Sequence, residues 1–162
     1  MQTDPNFANY LYDAEAGRII LLDFGAARAI DRDVAAKYRA LMRAGIEGDR
    51  DGLRLATLEL GFIGDDTTED HATQVVTMIA TVFAALNDQP LYEFTDIALS
   101  QKMQVMGQAL AEDGFIPPPV PIDVLLLQRK FGGMFLLANR LGAQVRVVDL
   151  LRRHLGILQD QV

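Results

Sequence analysis

No cysteine occurs in the 162 residues, so disulfides and thiolate metal sites are excluded and the chain is indifferent to redox compartment. Positive charge is also scarce. Fifteen Lys and Arg stand against 22 Asp and Glu, a net charge of -7, and the pI is near 4.7. That leaves no broad basic footprint, so nucleic acid is not an expected partner. No apolar run reaches the roughly 18 residues of a membrane span. The most apolar stretch, MFLLANRLGA, is broken by Asn139 and Arg140. Residues 1–9 are polar and resemble neither a cleavable signal nor an Arg-rich transit peptide. Nucleophile-elbow, Walker-type and dinucleotide-fingerprint motifs are missing as well. What is there is a globular composition, 50% hydrophobic and 23% charged, long enough to bury a core. A soluble chain is expected, with peripheral membrane attachment left open.

One place reads as β-structure. ANYLYD and GRIILLDF flank AEAG, a turn ending in Gly17, which predicts a hairpin. Its run Ile19, Ile20, Leu21, Leu22 reads as a buried strand. Everything after Gly25 reads as helix. Asp31 caps a helix through about Gly48, with Val34, Tyr38, Leu41 and Met42 on one face. Asp49 or Asp51 caps a shorter one that stops at Gly61. Thr67/Thr68 with Glu69/Asp70 starts a third helix, whose Ala72, Val75, Val76, Ile79, Val82, Phe83 and Leu86 keep the helical period. A fourth runs from about Asp96 to Asp113 with Met103, Met106, Ala109 and Leu110 inward. GFIPPPVP is an extended, polyproline-like link. A helix from Asp123 to Leu141, ended by Gly142, and a short one over about Val147 to Leu155 complete the chain. The fold class is mainly α, a short hairpin followed by a helical bundle.

The chemistry concentrates at the front. Phosphoryl transfer or nucleotide hydrolysis needs a divalent metal held against the phosphates, and magnesium takes oxygen ligands, including one or two carboxylates. In kinase-like sites a loop Asp lies near the acceptor, an Asn five residues later holds metal, and an Asp after the next hairpin holds metal at the β- and γ-phosphates. Asp4 and Asn9 have that five-residue step, and the hairpin then delivers Asp23 in Asp23-Phe24-Gly25. Gly25 lets the backbone swing away from the site. Each piece alone is a turn signal; loop, hairpin and Asp-Phe-Gly in order are specific.

MQTDPNFANYLYDAEAGRIILLDFGAARAID resembles the catalytic and metal-binding loops of the UbiB-like atypical kinase family, in its coenzyme Q (ubiquinone) biosynthesis branch. EGDRDGLRLATLELGFI and FIPPPVPIDVLLLQRKFGGMFLLANRLGA are similar to that branch's C-terminal helices, including Pro117 to Pro119 and Arg129-Lys130-x-Gly132-Gly133. The resemblance implies a protein-kinase-like C-lobe. Residues 1–30 would carry the catalytic loop, hairpin and Asp-Phe-Gly, and residues 31–162 the helical subdomain of the same domain. Asp4 would be catalytic. Asn9 and Asp23 would hold Mg2+ on ATP or ADP, with Gly25 beside the nucleotide. Implied partners are nucleotide, membrane lipid and other coenzyme Q biosynthesis proteins. The implied location is cytoplasmic or peripheral to the inner membrane in a bacterium, and the matrix side in a mitochondrion.

The family's Lys-x-Gly-Gln segment, Ala-rich nucleotide loop and nucleotide-lobe Lys all precede the catalytic loop, and only Met1, Gln2 and Thr3 precede Asp4 here. Lys37, Lys102 and Lys130 lie downstream. The chain is therefore expected to be the C-terminal part of a longer protein, lacking the N-terminal kinase lobe and inactive by itself. A second reading is a non-catalytic helical module that binds a partner protein or membrane lipid. A third, a small-molecule phosphotransferase sharing the Asp-x4-Asn loop, is opposed by IPPPVP and RKFGG. His71 is expected to face water, LLRRHL to be a solvated face, and Gly132-Gly133 to allow close helix packing.

Overall fold

Asp31 begins the helical part of the molecule in the way its side chain allows. Its Oδ1 accepts from the backbone N–H groups of Asp33 (2.7 Å) and Val34 (3.4 Å), which have no partner inside the helix. The helix that follows, α1 (Arg32–Glu47), ends at Gly48, whose φ of 71° is the left-handed conformation that glycine adopts without cost. The computed structural model describes residues 6–25 and 27–157. Before α1 it has a 3-10 turn (Phe7–Asn9) and strands β1 (Tyr10–Asp13) and β2 (Arg18–Leu21). After α1 come α2 (Arg50–Glu59), α3 (Glu69–Asn87), β3 (Tyr92–Glu93), α4 (Ala98–Glu112), α5 (Ile122–Arg140), β4 (Gln144–Val145) and α6 (Val147–His154). A hairpin followed by helices is what the sequence predicts.

The helix starts follow local signals. Asp49, not Asp51, caps α2, accepting from Gly52 N at 3.0 Å. Thr68 caps α3 by accepting from His71 N at 3.3 Å. Asp96 stands just outside α4 and accepts from Ala98 N at 2.9 Å, so the helix begins two residues later than expected.

The core lies where α1, α2, α3 and the start of α5 meet. Tyr38, Leu41 and Ala44 pack with Leu53, Ala56, Leu60, Val76 and Val124. Tyr38 donates its hydroxyl to the Val124 carbonyl (3.3 Å), and burial pushes its phenol up to about 12. Thr57, fully buried, is satisfied by donating to Leu53 O at 2.6 Å. A smaller cluster, Ile63, Ala72, Val75 and Leu110, joins α3 to α4.

Four expectations are corrected. The Ile19–Leu22 run is not buried: Ile19 is 68% and Leu22 53% exposed, because the described residues place no second layer on the hairpin. A second antiparallel ladder exists, pairing Tyr92 with Val145 and Glu93 with Gln144. Two-residue strands carry too little pattern to be read locally. His71 does not face water. Its side chain is 16% exposed, with Nε2 3.2 Å from Asp113 Oδ2 and the ring edge-on to Phe115. Ala109 on α4 points outward, and Leu110 alone on that helix is buried.

The uncovered hairpin makes a prediction. The 162-residue chain should bind an apolar dye and self-associate, because Leu11, Ile19, Ile20, Leu21, Leu22 and Phe24 stay in water. A monodisperse monomer by light scattering, without dye binding, contradicts it.

Candidate functional site

The hairpin's turn is closed by Asp13, whose Oδ1 accepts from Glu15 N (3.1 Å) and Ala16 N (3.0 Å), and by Gly17 at φ 61°. This fixes the register, Tyr10 opposite Leu21 through Asp13 opposite Arg18. Register then decides what meets at the open end. Leu22 N donates to Asn9 O at 2.9 Å, one step beyond the ladder, so Asn9 stands across from Leu22, the residue before Asp23. Asn6, three residues earlier, has a separate task. Its side chain accepts from Ala8 N at 3.1 Å and its carbonyl from Asn9 N at 3.0 Å, closing the turn that aims Asn9.

Asp23 is exposed, and its Oδ1 accepts from Gly25 N at 2.7 Å. Gly25 is explained by proximity, not by the backbone swing expected of it. Its φ is not positive, and a Cβ there would lie 3.1 Å from Asp23 Oδ1. Among the described residues, no hydrogen bond engages Asp23 Oδ2 or the Asn9 side chain. Asp4 lies outside the described residues.

Asn9 and Asp23 offer one amide oxygen and one carboxylate, the oxygen donors that a hard cation prefers. No group of three or more His, Asp or Glu that would hold a metal by protein ligands alone occurs among the described residues.

Two side chains of helix α5 reach the start of the hairpin. Lys130 Nζ donates to Tyr10 Oη at 3.3 Å, and the Arg140 guanidinium sits 5.1 Å over the Phe7 ring. Gly133 lines a cleft of about 270 Å³ with Asn6, Phe7, Leu136, Leu137 and Arg140. Gly132 is different: a Cβ there would meet nothing within 4 Å, so close packing does not explain it. At the other end of α5, Asp123 contacts Arg28 and the backbone of Asp31. The sequence marks Asp123 only as a helix start. Its partners are 95 and 92 residues away, and no local signal pairs them. Two wider clefts of about 470 Å³ lie away from this end, one beside Asp51, Arg54 and Glu69 and one beside His71, Phe115 and Pro118. Neither contains Asn9 or Asp23.

Comparison with known proteins agrees with the front of the chain. Residues 1–56 match the ABC1 atypical kinase-like domain. The mitochondrial atypical kinase COQ8 of Saccharomyces cerevisiae is 33% identical over 156 residues, covering 94% of this chain and 30% of that protein. The mitochondrial atypical kinase COQ8B of Rattus norvegicus is 34% identical over 153 residues, 93% of this chain and 28% of the rat protein. The Schizosaccharomyces pombe COQ8 is 30% identical over 152 residues, 93% of this chain and 25% of its own length. The chain thus spans less than a third of the length of these relatives. With the loop–hairpin–Asp-Phe-Gly order, its register and likeness along nearly the whole chain in agreement, this chain belongs to the UbiB-like atypical kinase family.

Proposed function

We propose that the chain forms the metal-binding side of a Mg-nucleotide site in an atypical kinase or ATPase that supports ubiquinone biosynthesis. One observation carries the reading: the hairpin register sets Asn9 across from Leu22, the residue before Asp23. Asn9 and Asp23 hold Mg2+ on ATP or ADP, Gly25 keeps the Asp23 carboxylate aimed through its N–H, and Asp4 serves next to the reacting phosphate. Magnesium, when bound, neutralises charge on the phosphates. Residues 1–30 carry this site and residues 31–162 are the helical subdomain that supports it. The nucleotide-lobe Lys of kinase-like sites finds no counterpart among Lys37, Lys102 and Lys130, which all follow the hairpin. The 162 residues, less than a third of the length of the relatives, would supply the metal-binding half of such a site, with nucleotide binding a property of the longer protein. The names of the relatives favour a mitochondrial-type setting. The described residues include no helix long and apolar enough to cross a membrane. Lipid and other coenzyme Q biosynthesis proteins are the partners this reading implies.

The uncovered apolar hairpin favours a second reading, a non-catalytic module docking a partner through β2. Calorimetry separates them. Mg-ATP should bind the full-length protein, lose affinity when Mg2+ is chelated, and bind the 162-residue chain weakly or not at all. Micromolar Mg-ATP binding by the 162-residue chain overturns the half-site reading. No Mg-dependent binding at full length favours the docking module.

A further inference from the structure

Asp123 is a buried carboxylate in the first turn of α5, 92 residues from the backbone it touches. Its Oδ2 accepts from Asp31 N at 2.9 Å. Its Oδ1 stands 3.1 Å from Arg28 Nε, at angles that make this an ionic contact and not a directed hydrogen bond. The positive end of the α5 dipole favours the charge where it sits. A buried carboxylate is costly to retain without partners, so its place needs a reason.

The reason lies in what it ties together. After the hairpin, Phe24, Gly25 and residues 27–29 are exposed, and Ala27 N donates to Phe24 O at 3.0 Å. Upstream they are anchored by the hairpin ladder, which ends in Leu22 N donating to Asn9 O. Downstream they enter α1 at Asp31, whose side chain is committed to capping. Asp123 holds this second end by grasping Arg28 and the Asp31 N–H at once. A segment held at both ends has few ways to move its first residues.

We infer that Asp123 is a positioning residue: by fixing residues 28–31 to α5 it sets the path of the chain leaving Asp23, and so the orientation of the Asp23 carboxylate. This rests on the proposed metal site. Asp123 touches neither metal nor nucleotide and acts through Arg28 and Asp31.

The test uses the full-length protein and two measurements. Hydrogen exchange of residues 24–31 reads the clamp itself. Mg2+ titration of nucleotide binding reads its reach to the site. In Asp123→Ala the Asp31 amide should exchange faster while α2 and α3 amides keep their wild-type rates. The Mg2+ concentration for half-maximal nucleotide binding should rise, by less than the roughly 10- to 100-fold cost of losing a group bonded directly to a metal ligand, because Asp123 acts through Arg28 and Asp31. Asp123→Asn keeps an acceptor for Asp31 N–H and loses the ion pair, so it should fall between, and it serves if Asp123→Ala does not fold. Arg28→Gln should raise the Mg2+ requirement in wild type and add little in Asp123→Asn, as for two members of one unit. Unchanged exchange at Asp31 in folded Asp123→Ala overturns the clamp. Faster exchange with an unchanged Mg2+ requirement overturns its link to the site. A wild-type protein without Mg-dependent nucleotide binding overturns the metal-site reading instead, and the inferred link with it, while the exchange rates still decide the clamp.

Discussion

Asp23→Asn in the full-length protein should abolish Mg-dependent nucleotide hydrolysis, a loss of about a thousandfold or more. Metal charge stabilisation contributes several kcal/mol to the transition state, and about 1.4 kcal/mol is tenfold in rate. The substitution isolates charge from shape. Asparagine keeps an oxygen that can accept from Gly25 N, now 2.7 Å from Asp23 Oδ1, so the local turn should persist. Asn9→Ala should impair hydrolysis strongly while leaving the hairpin intact, because its structural bond to Leu22 N comes from the backbone carbonyl. Asp4→Asn should lower turnover more than nucleotide affinity, as a group near the reacting centre acts mainly in the transition state. Steady-state ATPase assays and nucleotide titrations read all three. Full activity in Asp23→Asn contradicts the metal assignment.

Gly45→Ala should destabilise the chain, against the ordinary trend. In an exposed helix interior, replacing Gly with Ala gains about 1 kcal/mol of helix propensity. Gly45 is buried in α1 where α3 crosses it, and a Cβ there would overlap Cγ, Cδ2 and Cε2 of Phe83. Overpacking costs about 1–3 kcal/mol, and three ring atoms meeting one methyl put this case at the upper end. The packing effect wins. A net loss of about 1–2 kcal/mol lowers Tm by about 2–8 °C for a chain of this size. Phe83→Leu should offset part of that loss in the double variant, although it destabilises the wild type, since it removes the ring that the methyl strikes. Thermal unfolding of the four proteins completes the cycle. A Gly45→Ala chain more stable than wild type removes the close approach of α1 to α3 from the account.

Much of this molecule was legible residue by residue. Asp31, Thr68, Gly48 and Gly142 mark helix ends because a cap acts on N–H or C=O groups within four residues, which is a local matter. Asp13 and Gly17 mark the hairpin for the same reason. Of the Asp4–Asn9–Asp23 order read from spacing, the hairpin register fixes one step, Asn9 across from Leu22, the residue before Asp23. By itself, then, the sequence determined the helices, the hairpin and the family. Only the tertiary structure decided which surfaces meet. It left Ile19–Leu22 in water, drew His71 onto Asp113 and Phe115, paired β3 with β4, and brought Asp123 to Arg28. Those outcomes depend on elements some 40 to 95 residues apart. Local propensity carries no information at that range, because such contacts form only when the packing of whole helices repays the entropy of bringing distant segments together.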